Sequence, residues 1–311
     1  MIPESLISIR ELSSSEVLQY LSLANSIKQN SNSYLQSLKG KTVLHFFSEN
    51  STRTRMSFEV AIRKMGGENR IFASGDSSLN KGESLLDTVL TLKQFGVDAI
   101  VFRHASAGAA EWVKKIACTS VVNAGDGSHE HPTQALIDAF VLGEHWGVQF
   151  NHPQAFEGKK ILILGDTLHS RVARSNIHLL TKLGAKVFIC GPKTLTIKNM
   201  DLFPTVERFD FPDKILPELD AVMTLRIQRE RQTQGLIPSE KEYRYFWGLT
   251  RERARLLKKE VAILHPGPMN REIEIDSEVA SSTQSLVLKQ VENGVFVRMA
   301  VLGKLIGGAK E

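Results

Sequence analysis

The chain has 311 residues, more than one hydrophobic core usually serves, so two domains are expected. Hydrophobic residues make up 42% and charged residues 23% of it, an ordinary globular balance that excludes a disordered or low-complexity class. The net charge of +5 is spread along the chain and no apolar run reaches membrane-spanning length, so we expect neither nucleic acid nor membrane as a partner.

The cysteines and the first residues carry no metal or targeting signal. Cys118 and Cys190 each stand alone in an apolar context and neither belongs to a CxxC pair, which predicts two buried free thiols and no structural zinc site. The opening segment, MIPESLISIRELSSSEV, lacks a charged start, a long apolar stretch and a small-residue cleavage site. It is interpreted as a helix start, which predicts a cytoplasmic location.

Strand and helix patterns alternate over the first part of the chain. Apolar runs rich in Val, Ile, Leu and Phe are separated by stretches of helical period, which predicts a parallel sheet covered on both faces. The predicted strands are residues 41–47, 70–74, 98–103 and 119–125, and the helices between them are TRMSFEVAIRKMGG, SLLDTVLTLKQFG and AAEWVKKIAC.

The pattern is interrupted by a long helix and then begins again. We place a domain junction along HPTQALIDAFVLGEHWG, because a polar, proline-bearing segment follows it. The second half contains the strands KKILILGD, AKVFICGP, DAVMTLRI and EVAILHPGP, the helix SRVARSNIHLLTKLG and a final amphipathic helix, NGVFVRMAVLGKLIGG. RERARLLKKE, residues 251–260, is interpreted as a solvated helix face.

These patterns predict an α/β protein with two doubly wound parallel-sheet domains, helices on both faces of each sheet, and interdomain helices linking them. We assign residues 1–140 to the first domain and 141–290 to the second. Residues 291–311 are expected to form a C-terminal helix that packs back on the first domain.

The strongest chemical signal lies in FFSENSTRTRMSFE, residues 46–59. An apolar strand ends there and a helix opens on Ser51-Thr52-Arg53-Thr54-Arg55, here called the STRTR turn. A helix N-terminus offers unpaired N–H groups and the positive end of the dipole, and hydroxyl and guanidinium groups add further anion donors. Capping a helix requires only one hydroxyl, whereas this turn has three hydroxyls interleaved with two arginines. The additional donors predict a phosphate site. GxxxxGK[ST] and GxGxxG after the first strand are absent, so no nucleotide is expected.

Further segments follow the STRTR turn in a fixed order. They are DSSLNKGESLLDT (76–88), FRH (102–104), GDGSHEHPTQALID (125–138), GDTLHSRVARSN (165–176), TLRIQRER (224–231) and HPGPMNREIEI (265–275). Together with the STRTR turn, the sequence resembles the aspartate/ornithine carbamoyltransferase family over nearly its whole length. The resemblance implies that the first domain binds carbamoyl phosphate and the second binds the amino-acid substrate.

Two segments indicate the aspartate branch of that family. The ornithine enzymes usually have HPCQ and HCLP where this chain has Thr133 and Pro266, and no DxxxSMG-type acidic segment is present. Arg226 and Gln228 suit a second carboxylate. The implied reaction transfers the carbamoyl group of carbamoyl phosphate to the amine of L-aspartate, in pyrimidine biosynthesis, with no metal or other cofactor. The alternatives are an ornithine-type carbamoyltransferase and a catalytically silent scaffold subunit; a basic nucleic-acid-binding protein is a further one.

The resemblance assigns the residues that hold carbamoyl phosphate and perform the catalysis. Thr54, Arg103 and His131 are expected to stabilise the carbonyl oxygen as it becomes an oxyanion. Gln134 and the carbonyls of Pro266 and Gly267 are expected to accept hydrogen bonds from the carbamoyl amide. The expected phosphate ligands are Ser51, Thr52, Arg53, Thr54 and Arg103, joined by Ser78 and Lys81 from a neighbouring subunit; the catalytic set is Arg53, Thr54, Lys81, Arg103, His131 and Gln134.

The aspartate carboxylates are assigned to Lys81, Arg171, Arg226 and Gln228. Because Ser78 and Lys81 are expected to come from a neighbouring subunit, the resemblance implies a homotrimer with active sites shared between subunits. A regulatory chain or a dihydroorotase is expected as a further partner.

Most of these residues also have an ordinary structural interpretation. His131 could be a packed histidine at a helix start, Arg103 a surface residue, Lys81 a solvated lysine, and Arg226 a partner of Glu230 on a helix face. Glu49 is expected either to bridge the domains through Arg171 or Arg226, or to neutralise Arg53. Gly267 replaces the leucine of some family members, which suggests a less fixed backbone there.

Overall fold

The computed structural model describes residues 4–72, 82–228, 235–237 and 239–307. Contacts divide the chain into two units. The first unit contains the described residues up to Ile137 together with those from Val291 onward, and the second unit is Asp138–Gln290. Among the described helices, none is both long enough and apolar enough to cross a lipid bilayer.

The first unit has a parallel four-stranded sheet. Its strands are β1 (Thr42–Phe47), β2 (Glu68–Phe72), β3 (Ala99–His104) and β4 (Ser120–Asp126), in the order β2-β1-β3-β4. Its helices are α1 (Ser14–Gln29), α2 (Thr52–Lys64), α3 (Leu85–Gln94) and α4 (Ala109–Ala117), and α5 (Pro132–Trp146) follows β4. Because the chain leaves β1 on one side and later returns to its other side, the strand order reverses between β1 and β3. Ligands of doubly wound sheets bind at the carboxyl ends of the strands at such a switch point.

The second unit repeats this plan with a parallel five-stranded sheet. Its strands are β5 (Lys160–Leu164), β6 (Lys186–Cys190), β7 (Glu207–Phe209), β8 (Ala221–Thr224) and β9 (Ala262–Leu264), in the order β7-β6-β5-β8-β9. Its helices are α6 (Arg171–Lys182), α7 (Glu240–Trp247), α8 (Arg251–Ala254) and α9 (Ser277–Ala280), followed by α10 (Val287–Ile306). The switch point here lies between β5 and β8. Short 3-10 turns occur at Ser31–Tyr34, Met200–Leu202 and Leu216–Glu218.

Each sheet is covered by buried apolar side chains of its own unit. Phe46 and Phe102 stack in the first sheet, with ring centroids 5.1 Å apart, and Leu162 and Val222 are fully buried in the second. These near-continuous apolar strands are typical of parallel sheets that are buried on both faces. The predicted α/β class with two doubly wound parallel sheets is confirmed.

The last helix, α10, contacts the first unit over its later residues. Lys28 Nζ donates to Asn293 Oδ1 at 2.8 Å, and Arg298 Nη1 donates to Ser57 Oγ at 2.9 Å. The Arg298 guanidinium also lies over the Phe58 ring, 5.0 Å from its centroid. Since Ser57 and Phe58 belong to α2, these contacts hold the helix that begins at the STRTR turn. The boundary between the units falls within α5 and within α10.

Several expectations from the sequence differ from the structure. The predicted strand 70–74 is β2, Glu68–Phe72, and residues 73–81 lie outside the described residues. The helix predicted over 251–260 is shorter than expected, since α8 covers only Arg251–Ala254; within it, the Arg253 side chain donates to the carbonyls of Gly248 and Tyr245. The three-residue strand β7 was not predicted, because its sequence, Glu207-Arg208-Phe209, is mostly charged and gives no apolar run.

One of the two thiol predictions is wrong. Cys118 is exposed and has a φ of 52°, because it ends α4 in the left-handed conformation. Its sulfur lies 3.2 Å from Lys93 Nζ. Cys190 is buried as expected, and burial raises the pKa of its thiol to about 12. An apolar sequence context therefore did not distinguish a helix end from a buried strand.

Candidate active site

The STRTR turn lies at the carboxyl end of β1 and opens α2. Ser51 is the N-cap residue, with extended backbone angles, but its hydroxyl makes no capping hydrogen bond, and the first turn of α2 contains no acidic residue. Thr54 is 6% exposed, whereas Thr52 and Arg53 are exposed. Capping therefore does not account for the Ser51 hydroxyl, and the turn presents donors without a built-in negative charge.

The two arginines of the turn are both exposed. Arg55 Nε lies 3.2 Å from Glu59 Oε1, one helical turn along on the surface of α2. This i,i+4 pair is an ordinary exposed ion pair of the kind that contributes little to stability. Arg53 points from the first turn of the helix and is also exposed. The pair with Glu59 gives the Arg55 charge a structural explanation.

Arg103 lies at the end of β3, the strand on the other side of the switch point. Its Nη1 donates to the Ala124 carbonyl at 3.2 Å, and its Nε lies 3.5 Å from Glu49 Oε2. The Arg103 side chain is only 14% exposed, so it is not the surface residue of the alternative interpretation. The contact between Glu49 and Arg103 was not anticipated, and it joins the segment before the STRTR turn to the end of β3.

A buried polar network supports the loop between β4 and α5. Asn123 Nδ2 donates to Asp126 Oδ1 at 2.8 Å, and the Gly108 amide donates to Asp126 Oδ2 at 2.8 Å. His129 Nδ1 lies 3.1 Å from the same carboxylate. The Glu130 carboxylate reaches the N-terminal segment, where it accepts from the Ile9 amide at 2.8 Å and from the Ser8 hydroxyl.

The pKa values in this network follow from its hydrogen bonds. Burial would raise the pKa of Asp126, but the hydrogen bonds with His129 and Asn123 outweigh it and lower that pKa. The hydrogen bond to Asp126 raises the pKa of His129. The sequence analysis missed these residues; their signal was a run of polar residues, NAGDGSHEH, directly after a buried strand.

His131 directly precedes α5 and Gln134 lies in its first turn, immediately after this network. His131 is 4% exposed, its Nδ1 lies 3.5 Å from Thr133 Oγ1, and its carbonyl accepts from the Gln134 amide at 3.0 Å. The Gly127 amide donates to the His104 carbonyl at 2.9 Å, so the end of β4 is tied to the end of β3. The carboxyl ends of β1, β3 and β4 thus carry the expected residues of the first unit at one edge of its sheet.

The second unit presents the expected aspartate-binding residues at its own switch point. Arg171 is the first residue of α6 and is 5% exposed, while Ser170 caps the helix by accepting from the Ala173 amide at 3.1 Å. A buried guanidinium at a helix N-terminus is stabilised by an anionic neighbour. Arg226 and Gln228 follow β8 and are half-buried.

Gly165 explains how the loops after β5 and β8 approach each other. It has a φ of 125°, and a Cβ there would lie 2.9 Å from the Tyr243 hydroxyl and 3.0 Å from the Leu225 carbonyl. Asp166, which follows it, is fully buried and accepts from the His169 amide at 3.0 Å. A side chain at position 165 would therefore push apart the two loops that carry Arg171 and Arg226.

The HPGP loop (residues 265–268) follows β9 and is held from beneath. His265 and Glu274 are each 1% exposed, and His265 Nε2 lies 3.2 Å from Glu274 Oε1. The Gly267 amide donates to His265 Nδ1 at 2.8 Å. Gly267 has a φ of 62°, a left-handed conformation that favours glycine. Pro266 and Gly267 are half-buried.

A second buried hydrogen-bond network, within the second unit, connects the HPGP loop to α6. The His265 amide donates to Gln290 Oε1 at 3.0 Å, and Gln290 Nε2 donates to Asp138 Oδ1 at 2.7 Å. Asn176 Nδ2 in α6 donates to the other oxygen of Asp138 at 2.8 Å. The helix that begins with Arg171 and the HPGP loop are therefore positioned by the same buried carboxylate. The sequence analysis did not identify it.

Some expected site residues cannot be located. Ser78 and Lys81 fall within 73–81, and Glu230 falls within 229–234; these segments lie outside the described residues. Of the other expected residues, those from Ser51 to Gln134 belong to the first unit. Arg171, Arg226 and Gln228 follow β5 and β8 in the second unit, and Pro266 and Gly267 follow β9 in that same unit.

Family models match both parts of the chain. Residues 4–144 match the aspartate/ornithine carbamoyltransferase, carbamoyl-P binding domain, and residues 157–305 match the Asp/Orn binding domain of the same family. A protein of Desulfitobacterium hafniense named aspartate carbamoyltransferase catalytic subunit is 45% identical over 308 residues, which cover 98% of this chain and 96% of that protein. A protein of the same name from Gluconobacter oxydans is 46% identical over 307 residues, with the same coverage of each.

Solved structures show the same fold. Aspartate transcarbamoylase from Trypanosoma cruzi, in complex with carbamoyl aspartate and phosphate, superposes with a TM-score of 0.87 at 28% identity, covering 98% of this chain and 96% of that one. Ornithine carbamoyltransferase from Pyrococcus furiosus superposes with a TM-score of 0.86 at 27% identity, covering 99% and 98%. The backbone alone therefore does not distinguish the two branches; the distinction rests on the sequence relatives and on the side chains.

Proposed function

This chain belongs to the aspartate/ornithine carbamoyltransferase family, and we propose that it transfers the carbamoyl group of carbamoyl phosphate to the amino group of L-aspartate, giving N-carbamoyl-L-aspartate and phosphate. The main support for this function is the set of anion-binding groups at the carboxyl edge of the first sheet. At this edge, the sheet carries a helix N-terminus without acidic residues in its first turn, whose N-cap serine makes no capping hydrogen bond, together with the half-buried Arg103 and the buried His131. Such a cluster fits a dianionic phosphate next to a polarised carbonyl.

We assign the phosphate of the first substrate to Ser51, Thr52, Arg53, Thr54 and Arg103. Thr54, Arg103 and His131 donate to the carbonyl oxygen, where negative charge develops as the amine attacks. The buried position of Thr54 and His131 supports this role, because donors in a site of low dielectric stabilise an oxyanion more strongly than donors in water. Gln134 and the carbonyls of Pro266 and Gly267 accept from the carbamoyl amide.

The aspartate carboxylates are assigned to Arg171, Arg226 and Gln228. The first and last of these follow different strands of the second sheet, β5 and β8, on the two sides of its switch point. Two arginines suit a dicarboxylate, since a guanidinium fork binds a carboxylate at two points. An ornithine side chain would instead bring a cation toward Arg226, which favours the aspartate branch.

The proposed chemistry rests on charge and position. The deprotonated aspartate amine attacks the carbonyl carbon, the C–O bond to phosphate breaks, and the proton lost by the amine passes to the departing phosphate. Two anionic substrates repel each other, and the arginines offset that repulsion. Binding both substrates in an attack geometry supplies most of the remaining rate increase.

We also propose a homotrimer in which a neighbouring subunit supplies Ser78 and Lys81, with Lys81 touching both substrates. Apolar side chains on either side of residues 73–81 support a covering neighbour: Ile71 is 54% exposed, and Leu86 and Leu90 in α3 are 40% and 41% exposed. The product implies a place in pyrimidine biosynthesis, and we expect a cytoplasmic enzyme. A regulatory chain and a dihydroorotase are the partners to seek in a native extract.

The test is an assay of ureido product with carbamoyl phosphate and either aspartate or ornithine. We expect product with aspartate and none with ornithine. Product with ornithine alone would contradict the aspartate assignment. Absence of product from both amino acids, with folded protein shown by circular dichroism, would support the silent scaffold subunit instead.

A further inference from the structure

The HPGP loop contains a histidine whose protonation can be read from its neighbours. His265 Nδ1 accepts the Gly267 amide at 2.8 Å, so this nitrogen carries no proton. Its Nε2 lies 3.2 Å from Glu274 Oε1 and is therefore the protonated nitrogen that donates to the carboxyl group. Both side chains are 1% exposed, so water does not compete for these contacts.

The Gly267 amide shares its rigid peptide plane with the Pro266 carbonyl. In a trans peptide, the N–H and C=O groups point in opposite directions. Donation by the Gly267 N–H to His265 Nδ1 therefore sets the direction in which the Pro266 oxygen points. A change in the tautomer or tilt of the His265 ring would release this peptide and let its carbonyl rotate.

Glu274 is placed to fix the ring. Its Oε1 accepts from His265 Nε2 and also from the Asn270 backbone amide, so it ties the ring to the far side of the same loop. The His265 amide is held separately by Gln290 Oε1 at 3.0 Å. The backbone of His265 is thus anchored without Glu274, whereas the orientation of its ring depends on this carboxyl group.

We propose that Glu274 is a positioning residue of the transfer reaction: by holding His265 in the Nε2–H tautomer, it aims the Pro266 carbonyl at the amide nitrogen of the carbamoyl group. This inference rests on the proposed function, which assigns that carbonyl to the carbamoyl amide. Glu274 itself does not touch the substrate. Removal of the Glu274 carboxyl group weakens binding of the carbamoyl end of the substrate. Binding of the phosphate end by the STRTR turn is unchanged.

The experiment compares the affinities of carbamoyl phosphate and inorganic phosphate by calorimetry in the parent protein and in Glu274→Ala. We expect the variant to bind carbamoyl phosphate about tenfold more weakly and to lose kcat by a similar factor, because small errors in position are costly in a reactive geometry. Its affinity for phosphate stays within about twofold of the parent, since the STRTR turn is untouched. Glu274→Gln keeps an oxygen acceptor for both donors and restores carbamoyl selectivity.

The matched control is Asp276→Asn. Asp276 is 7% exposed and pairs with Arg244 at 2.8 Å, two residues from Glu274, but it makes no contact with His265 or Gly267 among the described hydrogen bonds. It is expected to lower thermal stability without changing the ratio of the two affinities. A purely structural role of Glu274 would give the same result as this control.

A second pair of variants tests the same step if Glu274→Ala does not fold. In His265→Asn, the side-chain oxygen can still accept the amide two residues further on, whereas His265→Leu cannot. Carbamoyl selectivity should be lower in the leucine variant than in the asparagine variant. The proposal is overturned if Glu274→Ala weakens phosphate and carbamoyl phosphate equally, or neither. A parent protein that fails to bind carbamoyl phosphate would instead overturn the proposed function.

Discussion

Arg53 and Arg55 are separated by one residue in the first turns of α2, and Arg55 Nε lies 3.2 Å from Glu59 Oε1. We predict that Arg53→Ala lowers kcat/KM for carbamoyl phosphate by roughly a hundredfold or more, because a charged donor to the leaving group is lost. Arg55→Ala, the matched control on the same helix turn, should change it less than about threefold, since exposed ion pairs contribute little. Steady-state kinetics of the two variants decides the assignment, and equal losses in both would contradict it.

His129 provides a pH test of the network beneath His131. The hydrogen bond to Asp126 raises the pKa of His129 above 6.5, so its stabilising effect is full below that pH and is lost as pH rises through the raised pKa. We therefore predict that His129→Gln destabilises the protein more at pH 5.5 than at pH 9. Urea midpoints of parent and variant at both pH values measure this, and a difference that grows with pH would count against it.

At the scale of secondary-structure elements, the helix starts differ in what their serines do. Ser13 caps α1 in a capping box with Glu16, whereas Ser51 begins α2 without a capping hydrogen bond. The hydroxyl at Ser51 is therefore available for a ligand, and the one at Ser13 is committed to its helix.

The two serines should respond in opposite ways to removal of the hydroxyl. Ser13→Ala is expected to cost about 1 kcal/mol of stability with activity unchanged. Ser51→Ala should leave the free energy of unfolding within about 0.5 kcal/mol of the parent and should weaken phosphate binding. Denaturation and phosphate titration of both variants test this prediction. If Ser51→Ala lost as much stability as Ser13→Ala, Ser51 would be an ordinary helix cap.

At the scale of the whole molecule, the shared site predicts complementation between subunits. Lys81→Ala and Arg53→Ala proteins are each expected to be inactive. Random assembly of an equal mixture into trimers would create intact sites at about one position in four, because one chain supplies Arg53 and its neighbour supplies Lys81. Activity near a quarter of the parent is therefore expected after subunit exchange. Exchange shown by mass spectrometry without recovered activity would contradict a shared site.

The sequence by itself determined the alternation of strands and helices, and with it the two parallel sheets, because buried strands and amphipathic helices impose different periods on their apolar residues. It also determined the STRTR turn and the strand-end residue Arg103, since these belong to local patterns in which residue type and position along an element carry the signal.

Only the tertiary structure decided which polar side chains meet. Glu130 reaches Ser8 and Ile9, and Glu274 reaches His265, through contacts that no local period encodes. Cys118 shows the same limit, because its apolar neighbours predicted burial while its place at the end of α4 exposes it. Pairing and burial depend on how distant segments pack, and a local pattern specifies only the residues near it in the chain.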